Sequence, residues 1–146
     1  MEKINVKILS PLGKIPVYSS EYAAAADLFS AEESAVAVAP GETVLIHTGI
    51  AMEIPVGYAG FVYARSGLAS KRGLAPANKV GVIDADYRGE IMVALHNHSS
   101  ALQTVESGER VAQMVIAQAP QFEFCEATKL TDTVRSDGGF GSTGRK

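Results

Sequence analysis

The run Gly81 to Glu90, GVIDADYRGE, joins an apolar stretch directly to two aspartates, a tyrosine and a glycine. Residues of these types at a chain reversal can orient water, take up a proton and pack against a ring. Val80, Val82 and Ile83 read as a buried strand, Asp84 to Gly89 as a turn, and Ile91, Val93 and Leu95 as the alternating return strand. The spacing predicts a β-hairpin with an acidic tip. A plain solvated turn has the same composition, because Asp and Gly favour turns on conformational grounds alone. Four further segments weigh against the plain turn.

In Ala64-Arg65-Ser66-Gly67-Leu68-Ala69 a strand ends in a cation, a hydroxyl and a glycine before a short helical turn. A helix start offers free N–H groups to an anion, arginine adds a forked charged donor for phosphate, and glycine admits close approach. Ser66 as a simple helix cap and Arg65 as a surface residue is the bland alternative. The tail, Arg135 to Gly144, holds four glycines, Gly138, Gly139, Gly141 and Gly144, with Phe140 the only apolar residue among them. It cannot bury enough surface to hold itself in place and is expected to be mobile until a ligand or partner orders it. Gly139 and Gly144 mimic a P-loop, but Arg145 and Lys146 stand where Lys and Ser or Thr are required. What remains is a lid with an arginine, three hydroxyls and one aromatic ring; a disordered tail is the alternative.

In Ala23 to Ser30, AAAADLFS, Asp27 interrupts small and apolar residues. A carboxylate there could hold metal-bound water, since Mg²⁺ keeps several waters and takes few protein ligands, or could merely close a turn. In Gly108 to Ile116, GERVAQMVI, Gln113 lies in an apolar strand and needs a partner if buried. His96 and His98 could share a strand face, but two imidazoles without a third ligand do not make a metal site, and His47 lies far off in sequence.

The elements that must carry these residues read as strands. Apolar alternation recurs at Ile4-Val6-Ile8, Val36-Val38, Val44-Ile46, Phe61-Tyr63, Leu102 to Val105, Val111 to Ala117 and Phe122 to Phe124, punctuated by Pro-Gly turns. The one short helix is expected around Ser66 to Arg72, so the fold class is all-β, a sandwich or barrel. With 146 residues, 47% of them hydrophobic, the chain suits a single domain with a sizeable core. A formal charge of −3 favours neither a nucleic-acid groove nor an anionic membrane, so an anion must be met locally. A lone cysteine, Cys125, suits a reducing compartment, and cytoplasm is the expected location. The start, MEKINVKIL, alternates like a strand, and eighteen apolar residues never run together, so neither a signal peptide nor a membrane helix is expected.

Taken in order, AAAADL, ARSGLA, GVIDADYRGE, GERVAQMVI and RSDGGFGSTG closely resemble the five ordered motifs of the trimeric deoxyuridine triphosphatase family and span residues 23 to 144. Alanines replace a glycine often found in the first motif, and Ser136-Asp137 a more usual glycine-rich pair in the fifth. The resemblance implies a jelly-roll-like β domain over residues 1–130 and a C-terminal arm over residues 131–146 that closes the active site. It implies a homotrimer whose sites are shared between subunits, with dUTP as the ligand and neither nucleic acid nor membrane as a partner. The implied activity is Mg²⁺-dependent hydrolysis of dUTP to dUMP and pyrophosphate, limiting uracil incorporation into DNA and supplying dUMP for thymidylate synthesis.

The family's roles fall on matching positions. Asp84 would orient and deprotonate the attacking water, and Tyr87 would pack on the deoxyribose and exclude a 2′-hydroxyl. Asn78 and the backbone from Val82 and Ile83 through Met92 would read the uracil edge. Arg65, Ser66, Gly67 and Gln113 would bind phosphates. Arg135, Gly141, Ser142 and Thr143 would close on the nucleotide with Phe140 over the base, and Asp27 would contact the metal through water. Two rivals are a dCTP deaminase, which shares the fold, and a nucleotide sensor that keeps the motifs for binding only.

Overall fold

The computed structural model describes residues 3–139. The elements in chain order are β1 (Asn5–Ile8), β2 (Val17–Tyr18), β3 (Ala26–Phe29), β4 (Val36–Val38), β5 (Thr43–His47), β6 (Ile50–Glu53), β7 (Tyr58–Tyr63), α1 (Ser66–Arg72), β8 (Leu74–Pro76), β9 (Gly81–Ile83), β10 (Met92–Asn97), β11 (Gln103–Val105) and β12 (Arg110–Gln118). All pairings among them are antiparallel. The largest sheet has the order β2-β3-β12-β7-β9, a second has β5-β10-β8, and β1-β6 and β11-β4 form two-stranded ribbons. This is an all-β architecture with one short helix, as the strand rhythm predicts.

Alternation explains how the sheets close on one another. In β10, Val93, Leu95 and Asn97 are buried while Met92 is exposed, and Val93 pairs with the buried Ile46 of β5. These residues join Leu28, Leu74, Ile91, Val105 and Val111 in a single core cluster. Buried Asn97 fits there because its amide is fully used: Nδ2 donates to the carbonyls of Val38 and Ala101 at 2.9 and 2.8 Å, and Oδ1 accepts from Ser99 N–H at 2.9 Å.

Helix α1 starts at the expected residue and is held at its far end. Gly73 adopts the left-handed conformation, φ 66°, and its N–H caps the carbonyls of Ala69 and Leu68. Buried Leu68 anchors the helix to the core. Arg72 donates to the Gln103 amide at 3.2 Å, to the Glu109 carboxylate and to the Thr104 carbonyl. The first turn, at Ser66 and Gly67, is therefore rigidly presented although both residues are exposed.

Several expectations are corrected. The strands flanking Asp84 do not pair as a hairpin: Val82 sits opposite Phe61 in the largest sheet, whereas Met92 sits opposite His47 in the second. The turn carries the chain from one sheet to the other. Val80 and Val82 are also not buried but 37% and 56% exposed, because Val80 precedes and Val82 lies in β9, which among the described residues is the edge strand of its sheet. Phe122 and Phe124, expected in a strand, are 75% and 98% exposed in a segment with no regular structure. Aromatic β-propensity does not act without a strand to pair with. Strands β2, β3, β6 and β8 were not expected. The short β2 and β8, and the unalternating, largely buried β3 and β6, carry no period-two signal.

Candidate functional site

Strand β12 is the hub of one half of the site. It pairs with β3 on one side and β7 on the other, so Gln113 stands opposite both Asp27 and Tyr63. Three segments far apart in sequence thereby meet. The Gln113 side chain donates to the Ala64 carbonyl at 2.8 Å, fixing the backbone where β7 turns into α1. Asp27 is buried, and each of its oxygens receives a guanidinium: Arg65 Nε at 2.8 Å and Arg110 Nη1 at 3.2 Å. Two cations against one carboxylate leave a local excess of positive charge in a chain of net charge −3.

The beginning of α1 adds unoccupied donors. Arg65 occupies the N-cap position in an extended conformation and no side chain caps the helix, so Ser66 does not act as the simple cap of the bland alternative. Gly67 has no conformational or packing reason to be glycine within this chain: its φ is not left-handed, and a Cβ would meet nothing within 4 Å. Space is kept open on the solvent side of a positively charged corner, which suits a polyanion. Arg110 is the residue missed from the sequence; the available signal was that a buried Asp27 needs more than one donor.

The other half is built on β9. Asp84 leaves its end and lines a cleft of about 850 Å³ together with Tyr58, Phe61, Val82, Asp86 and Arg88. Tyr87 N–H donates to the Asp84 carbonyl at 3.2 Å, closing the turn, and the Tyr87 hydroxyl donates to the Glu90 carbonyl at 2.9 Å. The ring lies across Gly89, where an added Cβ would collide with it. Asn78 lies before the other end of β9, in a tight turn with Lys79 in the left-handed region, φ 65°, and its carbonyl accepts from Val80 N–H at 2.7 Å. Met92 begins β10 and is 38% exposed.

The turn ends in a titratable pair. His47 Nδ1 lies 2.9 Å from Glu90, whose other oxygen accepts from Gly49 N–H at 2.9 Å. The hydrogen bond to Glu90 raises the His47 pKa above its ordinary value, against burial and helped by the charges of Glu90 and Glu32. Burial pushes the Glu90 carboxyl up, but the bonds from His47 and Gly49 outweigh it and hold the group below the usual range. His98 is shifted down by burial and by the neighbouring His96 and Lys79. Among the described residues no three His, Cys, Asp or Glu side chains cluster in a way that would hold a metal ion, and no helix is long and apolar enough to cross a membrane.

One chain does not bring the two halves together. β7 and β9 are antiparallel, with Val62 opposite Gly81 and Gly60 opposite Ile83, so Arg65 and Asp84 leave opposite ends of the pair. At about 3.3 Å per residue that separates them by roughly 20 Å along the strands. Arg135 follows the last described strand, exposed, with its Nε donating to the Gly138 carbonyl at 2.8 Å. Phe140, Gly141, Ser142 and Thr143 lie outside the described residues.

Comparison with known proteins bears on all of these segments at once. The dUTPase family profile matches residues 12–144. The deoxyuridine 5'-triphosphate nucleotidohydrolase of Hydrogenobaculum sp. is 47% identical over 144 residues, covering 99% of both chains. Its namesake from Nautilia profundicola is 48% identical, covering 98% of this chain and 99% of the other. In three dimensions a variant of the phage 80alpha dUTPase superposes with a TM-score of 0.89 at 29% identity, over 96% and 98% of the two chains. A second Staphylococcus bacteriophage 80alpha variant, with dUpNHpp, gives 0.87 at 28% identity over 99% of each. A dUTPase from phage phi11 of S. aureus, described with a structural Mg(II) ion, gives 0.82 at 26% identity over 90% and 100%. A profile match covering nearly the whole chain, together with relatives close to half identical, establishes that this chain belongs to the dUTPase family.

Proposed function

We infer that the protein hydrolyses dUTP to dUMP and pyrophosphate. The observation that carries this reading is the meeting of Asp27, Arg65, Gly67 and Gln113 around β12, where an open glycine and two arginines offer a triphosphate-sized anion charge and free N–H donors. Arg65, Ser66, Gly67 and Gln113 bind the phosphates. Asp84 accepts a proton from water as its oxygen bonds to the innermost phosphorus, and the bond to the pyrophosphate oxygen breaks. General base catalysis supplies about 10² to 10⁴ in rate, so most of the acceleration must come from charge neutralisation and fixed geometry. Tyr87 covers the deoxyribose, and Asn78 with the backbone of Val82, Ile83 and Met92 reads the base.

The separation of Arg65 from Asp84 favours a homotrimer in which one subunit's Asp84 turn faces another's phosphate corner. Residues 131–146 form the arm that closes on the nucleotide, bringing Arg135, Phe140, Gly141, Ser142 and Thr143. The donor set fits Mg²⁺ arriving on the triphosphate rather than in a protein cage: no cluster of ligands occurs among the described residues, and both Asp27 oxygens already accept from arginines. Their remaining lone pairs could meet a metal-bound water. Bound there, the ion would neutralise phosphate charge.

The deciding experiment is a pyrophosphate-release assay with dUTP, dCTP, dTTP and UTP, with and without a chelator. Release from dUTP alone, lost on chelation, is expected. Ammonia from dCTP, or tight dUTP binding without release, overturns the reading.

A further inference from the structure

The corner between β5 and β6, His47-Thr48-Gly49, is tied to the end of the Asp84 turn by several hydrogen bonds that meet at two adjacent residues. Glu90 accepts from His47 Nδ1 with one oxygen and from Gly49 N–H with the other, each at 2.9 Å. An ionised carboxylate only accepts, so Nδ1 carries the hydrogen. Ile91 donates its N–H to the Ile50 carbonyl at 2.9 Å, and its own carbonyl accepts the buried Thr48 hydroxyl. The corner has little room to move. Gly49 is left-handed at φ +67°, its carbonyl accepts from Leu9 N–H at 2.8 Å, and a Cβ on it would press on Ser10, Ala31 and Gly13.

Tyr87 depends on this clamp. Its side chain is 41% exposed, so packing alone does not hold it. Its position comes from the hydroxyl bond to the Glu90 carbonyl and from the notch over Gly89, and both are set by the backbone that the Glu90 carboxylate fastens. We propose that Glu90, gripped by His47 and Gly49, is a positioning residue that fixes Tyr87 and so sets the discrimination between deoxyribo- and ribonucleoside triphosphates. The proposal rests on the reading above, in which Tyr87 covers the sugar. A clamp that merely stabilised the fold would lower kcat/KM for both sugars alike and leave their ratio unchanged.

The test compares kcat/KM for dUTP and UTP in the full-length protein and in Tyr87→Leu, Glu90→Ala, Glu90→Gln and His47→Gln. Tyr87→Leu is expected to erase most of the preference. Glu90→Ala should lower the dUTP/UTP ratio about tenfold, the effect of roughly one lost hydrogen-bonded support. Glu90→Gln should recover most of it, because its amide oxygen can still accept from Gly49. An unchanged ratio in Tyr87→Leu removes the sugar-packing role and the proposal with it. A ratio lost in Tyr87→Leu but intact in Glu90→Ala overturns the proposal alone. If Glu90→Ala does not fold, Glu90→Asp takes its place, its shorter side chain withdrawing the carboxylate from His47 and Gly49, and an unchanged ratio in both Glu90→Asp and His47→Gln overturns the proposal equally.

Discussion

Asp27 is accommodated in a buried position because each of its oxygens is met by an arginine, Arg65 from the N-cap of α1 and Arg110 from the start of β12. Removing it strands two guanidinium groups beside one another, so Asp27→Ala should cost about 2 kcal/mol, read by urea unfolding, and should raise KM for the nucleotide. Asp84 differs, being exposed at the end of an edge strand and, among the described residues, free of a structural ion pair. Asp84→Asn is therefore expected to leave melting unchanged and still bind a non-hydrolysable dUTP analogue, with turnover nearly abolished; near-normal kcat would take the base role from it. The His47–Glu90 pair links charge to stability. With the His47 pKa raised, its contribution is present below about 6.5 and fades as pH rises through the shifted value. With the Glu90 pKa lowered, its contribution is present above about 4.5 and is lost as pH falls through its own shifted value. The two windows overlap between these limits. His47 is half exposed, so the pair is worth no more than about 1 kcal/mol. Melting curves of wild type and His47→Gln should differ by a few degrees at pH 5.5 and converge above pH 8; equal curves throughout would show that the pair contributes nothing.

Strand β12 and helix α1 owe their precision to neighbours on both sides, whereas β9 has one free edge and the segment after Gln118 forms neither strand nor helix among the described residues. The core cluster is assembled entirely from residues at or before Met114, with Ile116 packed against it. Cutting the chain after Thr131 is thus expected to preserve the β-sheet circular dichroism and the melting transition. On the proposed role of the arm, activity should nevertheless fall by at least about a hundredfold, because closure would supply positioning rather than stability. Full activity in the truncated protein would exclude the arm from the reaction.

Arg65 and Asp84 leave opposite ends of the β7-β9 pair, so the proposed site combines halves from different copies of the chain. Exposed apolar residues such as Val56, Val82 and Leu45, at 94%, 56% and 58%, are available to be covered in such an assembly. Co-expression offers a direct check. Arg65→Ala and Asp84→Asn should each be inactive alone, while mixed trimers of the two should regain measurable activity, since each then holds a site built from two undamaged halves. No recovery in verified mixed trimers would place both residues of a site within one chain.

Local signals carried a good part of this protein. The alternation in β1, β4, β5, β10 and β12 and the single helix at Ser66–Arg72 follow from side-chain period and capping chemistry within a few residues. The chemical types of the candidate site residues are equally legible, because carboxylates, arginines and glycines stand out against an apolar background. Strand pairing was not legible. Nothing near Asp84 announces that its flanking strands belong to different sheets, that Arg110 would join Arg65 on Asp27, or that Glu90 would be held by His47. Those contacts join residues dozens of positions apart, and their register is chosen by burial of the whole core, an energy that no short window of residues contains.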